Sequence, residues 1–94
     1  MSMQDEYVND LYNRLSVIVK NDRKYSYSEM GEMIIKNTHA APGIEYYFQQ
    51  YPPLIDIAEL GASIAYEGTR HHDDIVKQIK YKLQELKSSL PDIR

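Results

Sequence analysis

The sequence predicts an all-α protein: an antiparallel four-helix bundle with a short extra aromatic helical segment in its central connection. Two observations lead to this prediction. Four separate segments place apolar residues at helical spacings of three and four, and no segment alternates apolar and polar residues as a strand would. Breaks at Pro42-Gly43 and Pro52-Pro53 leave two helical patterns before the central stretch and two after it, because no helix runs through such pairs.

The chain's length and composition indicate one small soluble domain. Its 94 residues leave no room for a second core, so residues 1–94 are expected to form a single domain. A hydrophobic fraction of 43% with 27% charged residues is typical of soluble proteins, and no apolar run approaches the length of a membrane span. The acidic start lacks the pattern of a signal peptide, so we expect a cytoplasmic protein. Without cysteines, the fold is expected to depend on packing alone.

The first helix is predicted from about Gln4 to Lys20, and the polar residues after Lys20 end it. Its apolar residues share one stripe of the helix. They are Val8, Leu11, Tyr12, Leu15, Ile18 and Val19. The β-branched run at 17–19 would also suit a strand, but it continues the same stripe.

The second helix is predicted to begin with a capping box, in which Ser26 and Glu29 each satisfy an amide at the helix start, and Ser28 is an alternative cap. A narrow apolar stripe follows at Met30, Met33 and Ile34, and Asn37-Thr38 is the expected end. Gly31 should weaken the helix by about 1 kcal/mol. The two methionines suit either an adaptable partner-binding surface or an irregular core.

The third long helix is predicted to open at Pro52-Pro53 and to end near Gly68. Its stripe consists of Leu54, Ile57, Ala58, Gly61, Ile64 and Ala65. Because several of these residues are small, another helix should approach closely, and that partner is expected to carry the bulk.

The last helix is predicted to use Thr69 as its cap, with Asp73 and Asp74 near its positive end, and to stop at Pro91. It has a heptad-like apolar seam. The seam consists of Ile75, Val76, Ile79, Leu83, Leu86 and Leu90.

The central stretch carries three tyrosines, Tyr46, Tyr47 and Tyr51, together with the chain's one phenylalanine. In a short helix, Tyr47 and Tyr51 would share one face and Ile44 and Phe48 an adjacent one. We therefore expect at least two of the three tyrosines to be partly exposed and to form a partner-binding patch. The alternative is that all of them pack inward.

Candidate catalytic and metal chemistry is sparse. Two histidines and nearby carboxylates could hold a divalent metal, but Gly68-Thr69 should break the helix inside this set, and two of its acids already suit a helix N-terminus. The set consists of Glu67, His71, His72, Asp73 and Asp74. His39 is expected on the surface, and no Ser or Lys is marked as a nucleophile. We expect no metal, no cofactor and no enzymatic activity.

Nucleic-acid binding is also not expected. Residues 25–34 look like the first helix of a helix-turn-helix, yet the following segment has no positive charge to meet phosphate. No Lys or Arg occurs between Lys36 and Arg70. A DNA-binding regulator is therefore the weakest of the alternatives.

In the order of its features, the chain resembles the immunity proteins of class IIa bacteriocins of the enterocin A type. The resemblance is carried by Glu6-Tyr7, by residues 11–16 (Leu-Tyr-Asn-Arg-Leu-Ser), by Lys24-Tyr25-Ser26, by Pro52-Pro53-Leu54-Ile55 and by a final lysine-rich amphipathic helix. It implies a cytoplasmic antiparallel four-helix bundle that protects the producing cell by acting on a bacteriocin-occupied sugar-transporter receptor. It also implies that specificity resides in the C-terminal part, here Arg70 to Arg94, and that there are no catalytic residues.

The expected function is therefore protein binding, in the first place by a bacteriocin-immunity-like protein. The candidate partner contacts are Tyr46, Tyr47, Tyr51, Lys80 and Lys87. The partner would be a protein, such as a membrane receptor complex reached from the cytoplasm. A helical adaptor that dimerises or clamps a partner is the main alternative.

Overall fold

The structure, a computed structural model, describes residues 3–39, 43–66 and 72–90. Within these ranges the chain is helical with short turns and contains no strand, which confirms the all-α prediction. Five helices are present in this part of the chain. They are α1 (Met3–Lys20), α2 (Tyr27–His39), α3 (Ile44–Gln50), α4 (Pro53–Tyr66) and α5 (His72–Ser89).

The four long helices pack around one contiguous apolar cluster. α4 packs against α2 and α5, and α1 packs against the same two helices from the other side. The short α3 lies against α4. This order explains the high apolar content of α4, because three helices cover it.

The stripes of α1 and α5 face the core as predicted. The buried members are Val8, Leu11, Leu15, Ile18 and Val19 on α1, and Val76, Ile79, Leu83, Leu86 and Leu90 at α5. Tyr12 and Ile75 are half-buried at the edges of these stripes. Helical spacing alone was enough to select these faces, because each stripe continues along its whole helix.

The capping box at the start of α2 is present. The Glu29 amide donates to Ser26 Oγ at 3.1 Å, and the Ser26 amide donates to Glu29 Oε1 at 3.2 Å. The predicted end at Asn37-Thr38 agrees to within one residue with the end of α2 at His39. The Thr38 hydroxyl donates to the Ile34 carbonyl at 2.9 Å, and Asn37 Nδ2 donates to the Met33 carbonyl at 2.7 Å. Both polar side chains are thus satisfied by carbonyls of the preceding turn.

α2 and α4 approach each other so closely that their backbones meet. A Cβ added at Gly31 would lie 2.6 Å from the Gly61 carbonyl oxygen. The predicted close approach is therefore confirmed, but the expectation that the partner helix carries the bulk is only half right. Ile34 fills the space above Gly61, where an added Cβ would lie 2.7 Å from its Cγ2 atom. At Gly31 the nearest atoms of α4 are the Gly61 carbonyl oxygen, the Ala65 amide nitrogen and the Ala65 methyl group.

Three predicted helix boundaries lie outside the described residues. They are the caps at Gly68 and Thr69 and the stop at Pro91. Within the described ranges, α4 opens at Pro53, in agreement with the prediction.

Candidate functional site

The aromatic segment forms α3, a helix held between two sharp corners. It begins after Gly43, whose φ of 73° is left-handed and suits glycine. It ends at Tyr51, which has φ −132° and ψ 78° and donates its amide to the Tyr47 carbonyl at 2.8 Å. The Leu54 amide then donates to the Tyr51 carbonyl at 3.0 Å, so α4 starts almost at once. The direction of α3 is therefore set by both corners.

The three tyrosines of this segment occupy three different environments. Tyr46 is 45% exposed, Tyr47 is half-buried and Tyr51 is only 8% exposed, inside the core. The expectation that at least two are partly exposed is met by Tyr46 and Tyr47. Tyr51 does not share this exposure, because its ring lies in the core and its backbone leaves the helical conformation after Gln50. Whether Tyr46 and Tyr47 bind a partner stays a prediction.

Ring contacts anchor α3 on both sides. The Tyr47 ring lies 4.8 Å from the Tyr7 ring of α1, with an angle of 32° between the planes. The Phe48 ring meets His39 at the end of α2 edge-to-face, with centroids 6.1 Å apart. The Tyr46 ring stands 5.9 Å from Tyr47 at 78°. Such tilted and edge-to-face pairs are favourable for aromatic rings, so the outer surface of α3 is held in a defined orientation.

A shallow apolar groove runs beside α3, between α4 and the end of α2. Its volume is about 270 Å³. The lining consists of His39, Phe48, Ile55, Ala58, Glu59 and Ala62. Ala58 and Ala62 lie one turn apart on α4 and contribute only methyl groups to the lining. Ile55 is 38% exposed, so an apolar side chain faces solvent at this edge.

The charged residues of α3 and α4 are all acidic. Glu45 on α3 and Glu59 on α4 are both exposed, and neither forms an ion pair with any residue that the structure describes. Asp56, on the side of α4 that faces α5, lies 3.3 Å from Lys82 Nζ. This side of the molecule thus combines exposed apolar surface with negative charges that form no ion pair within the described residues.

The two candidate lysines of α5 contact α1 and the turn after it. Lys80 Nζ lies 3.8 Å from the Asp22 carboxylate, and Lys87 Nζ lies 5.4 Å from the centre of the Tyr12 ring. The described contacts do not join them to the aromatic segment. Their role in partner binding stays a prediction.

A polar cluster that the sequence did not reveal joins the starts of α2 and α5. The Tyr27 hydroxyl donates to the Asp73 carboxylate at 2.5 Å, and the Tyr27 ring lies 4.3 Å from the His72 ring. The hydrogen bond to Asp73 raises the pKa of Tyr27, with smaller contributions from burial and from the charges of Asp73 and Asp22. No local spacing could have shown this contact, because 46 residues separate its partners.

The metal-ligand set considered from the sequence is only partly described. Glu67 and His71 lie outside the described residues. In the ranges 3–39, 43–66 and 72–90, no three His, Asp or Glu side chains are grouped closely enough to hold a metal ion.

None of the helices in the described part of the chain has both the length and the apolar character to cross a membrane.

No protein-family model, curated protein or solved structure matches the chain.

Proposed function

We propose that this chain is a non-enzymatic protein-interaction domain that contacts its partner through the outer surface of α3. The observation that carries the proposal is the exposed Tyr46 ring beside the half-buried Tyr47, with Ile55 exposed at the neighbouring edge of α4. Tyrosine offers a large contact area with few rotors and tolerates water until a partner covers it. The contact between Tyr47 and Tyr7 limits the reorganisation that binding would require.

The specific form we propose is a bacteriocin-immunity-like protein of the cytoplasm. It rests on the resemblance to the class IIa immunity proteins. In this proposal α1, α2, α4 and α5 form an antiparallel four-helix bundle, and α3 belongs to its central connection. The packing of each long helix against two others supports this arrangement. The partner would be a bacteriocin-occupied receptor complex approached from the cytoplasm, with Lys80 and Lys87 as further contacts.

A helical adaptor is the second candidate, favoured by a separate apolar surface between α1 and α2. Val17 is 58% exposed there, beside Ile18 and Met33. Exposed apolar groups on two sides would suit a protein that clamps a partner or dimerises.

Expression of the chain in a bacterium that is sensitive to class IIa bacteriocins tests the immunity role. We expect the lethal bacteriocin concentration to rise relative to cells with the empty vector. Tyr46→Ser should remove this protection, whereas Tyr66→Ser should keep it, because Tyr66 is 71% exposed and lies at the far end of α4. If the wild-type chain protects against no class IIa bacteriocin, the immunity role is rejected. If Tyr46→Ser protects as well as wild type, α3 is not the contact surface.

A further inference from the structure

We infer that the groove beside α3 takes an apolar side chain from a cationic amphipathic helix of the protein partner. This inference rests on the proposed function, since it names the chemistry of the partner that the α3 surface meets.

The groove is small and mostly apolar, which suits a single side chain. Its volume of about 270 Å³ lies at the lower edge of the range of roughly 300–1,000 Å³ that is typical of small-molecule sites. Phe48, Ile55, Ala58 and Ala62 supply its apolar lining. An amphipathic helix laid across such a surface inserts single apolar side chains at helical spacing.

The acidic residues of α3 and α4, of which Glu59 lines the groove, select the partner's polar face. Glu45 and Glu59 come from two different helices, and in the described part of the chain neither has a cationic neighbour that forms an ion pair with it. The sequence has no Lys or Arg from residue 37 to residue 69, which includes all of α3 and α4. Lysines or arginines flanking the inserted side chain would therefore meet negative potential, and an acidic helix would be repelled.

A second copy of this chain fits the groove poorly. α5 carries the chain's main group of lysines, but its apolar seam is already buried. The buried members are Val76, Ile79, Leu83 and Leu86. Since a docking helix must present both an apolar stripe and positive charge, α5 cannot supply the occupant without leaving its own core.

Titration of the ¹⁵N-labelled full chain with a synthetic helical peptide tests the inference. The peptide is about four turns long and has leucines on one face and lysines elsewhere, and its control has glutamate in place of lysine. We expect amide shifts at the groove residues with the lysine peptide and none with the glutamate peptide.

Two variants probe charge and shape separately. Glu59→Gln should lower the affinity for the lysine peptide on the order of two- to fivefold, and this effect should be smaller at high salt. Asp10→Asn makes the same change in net charge on α1, where Asp10 lies 3.6 Å from Arg14, and should leave the affinity unchanged. Ala62→Leu should fill the groove and abolish the shifts there. A thermal melt shows whether the Ala62→Leu variant folds. If that variant does not fold, Glu59→Gln provides the test.

Several results would overturn the inference. Equal binding of the glutamate peptide, equal effects of Asp10→Asn and Glu59→Gln, or shifts confined to other surfaces would each reject it. Self-association of the free chain that Ala62→Leu abolishes would identify a second copy as the occupant. If the lysine peptide causes no amide shifts at the groove while Tyr46→Ser still loses protection, the proposed function stands and this inference fails. If the groove binds the peptide while Tyr46→Ser protects normally, the proposed function fails instead.

Discussion

Replacement of Gly31 by alanine should destabilise the protein, although alanine is the better helix former. The added Cβ would lie 2.6 Å from the Gly61 carbonyl oxygen and 2.7 Å from the Ala65 amide nitrogen. Both are backbone atoms of α4, so no side-chain rotation can relieve the clash. α2 and α4 would have to separate at the place where they are packed most closely.

The expected loss is the difference between two opposing effects. Alanine gains about 1 kcal/mol over glycine in helix propensity. Overpacking costs typically about 1–3 kcal/mol, and contacts with backbone place Gly31 at the upper end of that range. The free energy of unfolding should therefore fall by about 1–2 kcal/mol. For a domain of this size, that lowers the melting temperature by roughly 5–15 °C.

Urea unfolding followed by far-ultraviolet circular dichroism measures this loss. Gly61→Ala is the matched control, because its added Cβ would meet side-chain atoms of Ile34 at 2.7 and 3.1 Å, whereas the Gly31 carbonyl oxygen would be 3.5 Å away. It should cost less than Gly31→Ala, while Gly61→Leu should cost more than Gly61→Ala. A Gly31→Ala protein as stable as wild type would refute the backbone contact between α2 and α4.

Three further predictions concern the core and the Tyr27 cluster. Leu15→Ala and Leu83→Ala should each cost about 2–5 kcal/mol in urea unfolding, because both side chains are buried, and a loss below about 0.5 kcal/mol would mean that the stripe faces water. Tyr51→Ser should cost about 3 kcal/mol or more by removing a buried ring, and a wild-type melting curve would place that ring outside the core. The raised pKa of Tyr27 means that its bond to Asp73 stabilises the fold below the ordinary value of 10.0 and that this contribution is lost as the pH rises through the raised pKa. Wild type should therefore lose more stability than Tyr27→Phe between neutral pH and pH above 10.0, and equal losses in thermal melts would contradict this.

The sequence was sufficient for the features that depend on neighbours along the chain. Leu15 and Leu83 were placed in the core because each lies within an uninterrupted apolar stripe, and such a stripe marks the face of a helix that packs against the core. Ser26 was placed at the start of α2 because a capping box is complete within four residues.

Tyr51 shows how a local signal was missed. It precedes Pro52, and a residue before proline is disfavoured in the α conformation. That restriction ends α3 at Gln50, and the Tyr51 backbone leaves the helical conformation although its amide still bonds to the Tyr47 carbonyl. The same reasoning applied to the sequence would have ended α3 before Tyr51, but the burial of the Tyr51 ring depends on the fold.

Contacts between distant segments could not be predicted in this way. Gly31 and Gly61 meet because α2 and α4 pack together, and helical periodicity does not specify which helices become neighbours. The bond between Tyr27 and Asp73 has the same origin. The groove beside α3 also needed the fold, since three helices contribute its lining.

The central claim is tested most directly by two measurements on the Tyr46→Ser variant. One is the protection that it gives a sensitive bacterium against the bacteriocin, and the other is its free energy of unfolding. The claim is that the outer surface of α3 binds a partner and does not contribute to the packing of the core. We predict that the variant loses protection while its free energy of unfolding stays within about 0.5 kcal/mol of wild type, as for an ordinary surface change. Full protection by this variant, or a loss of protection matched by a loss of stability like that of Tyr51→Ser, would contradict the claim.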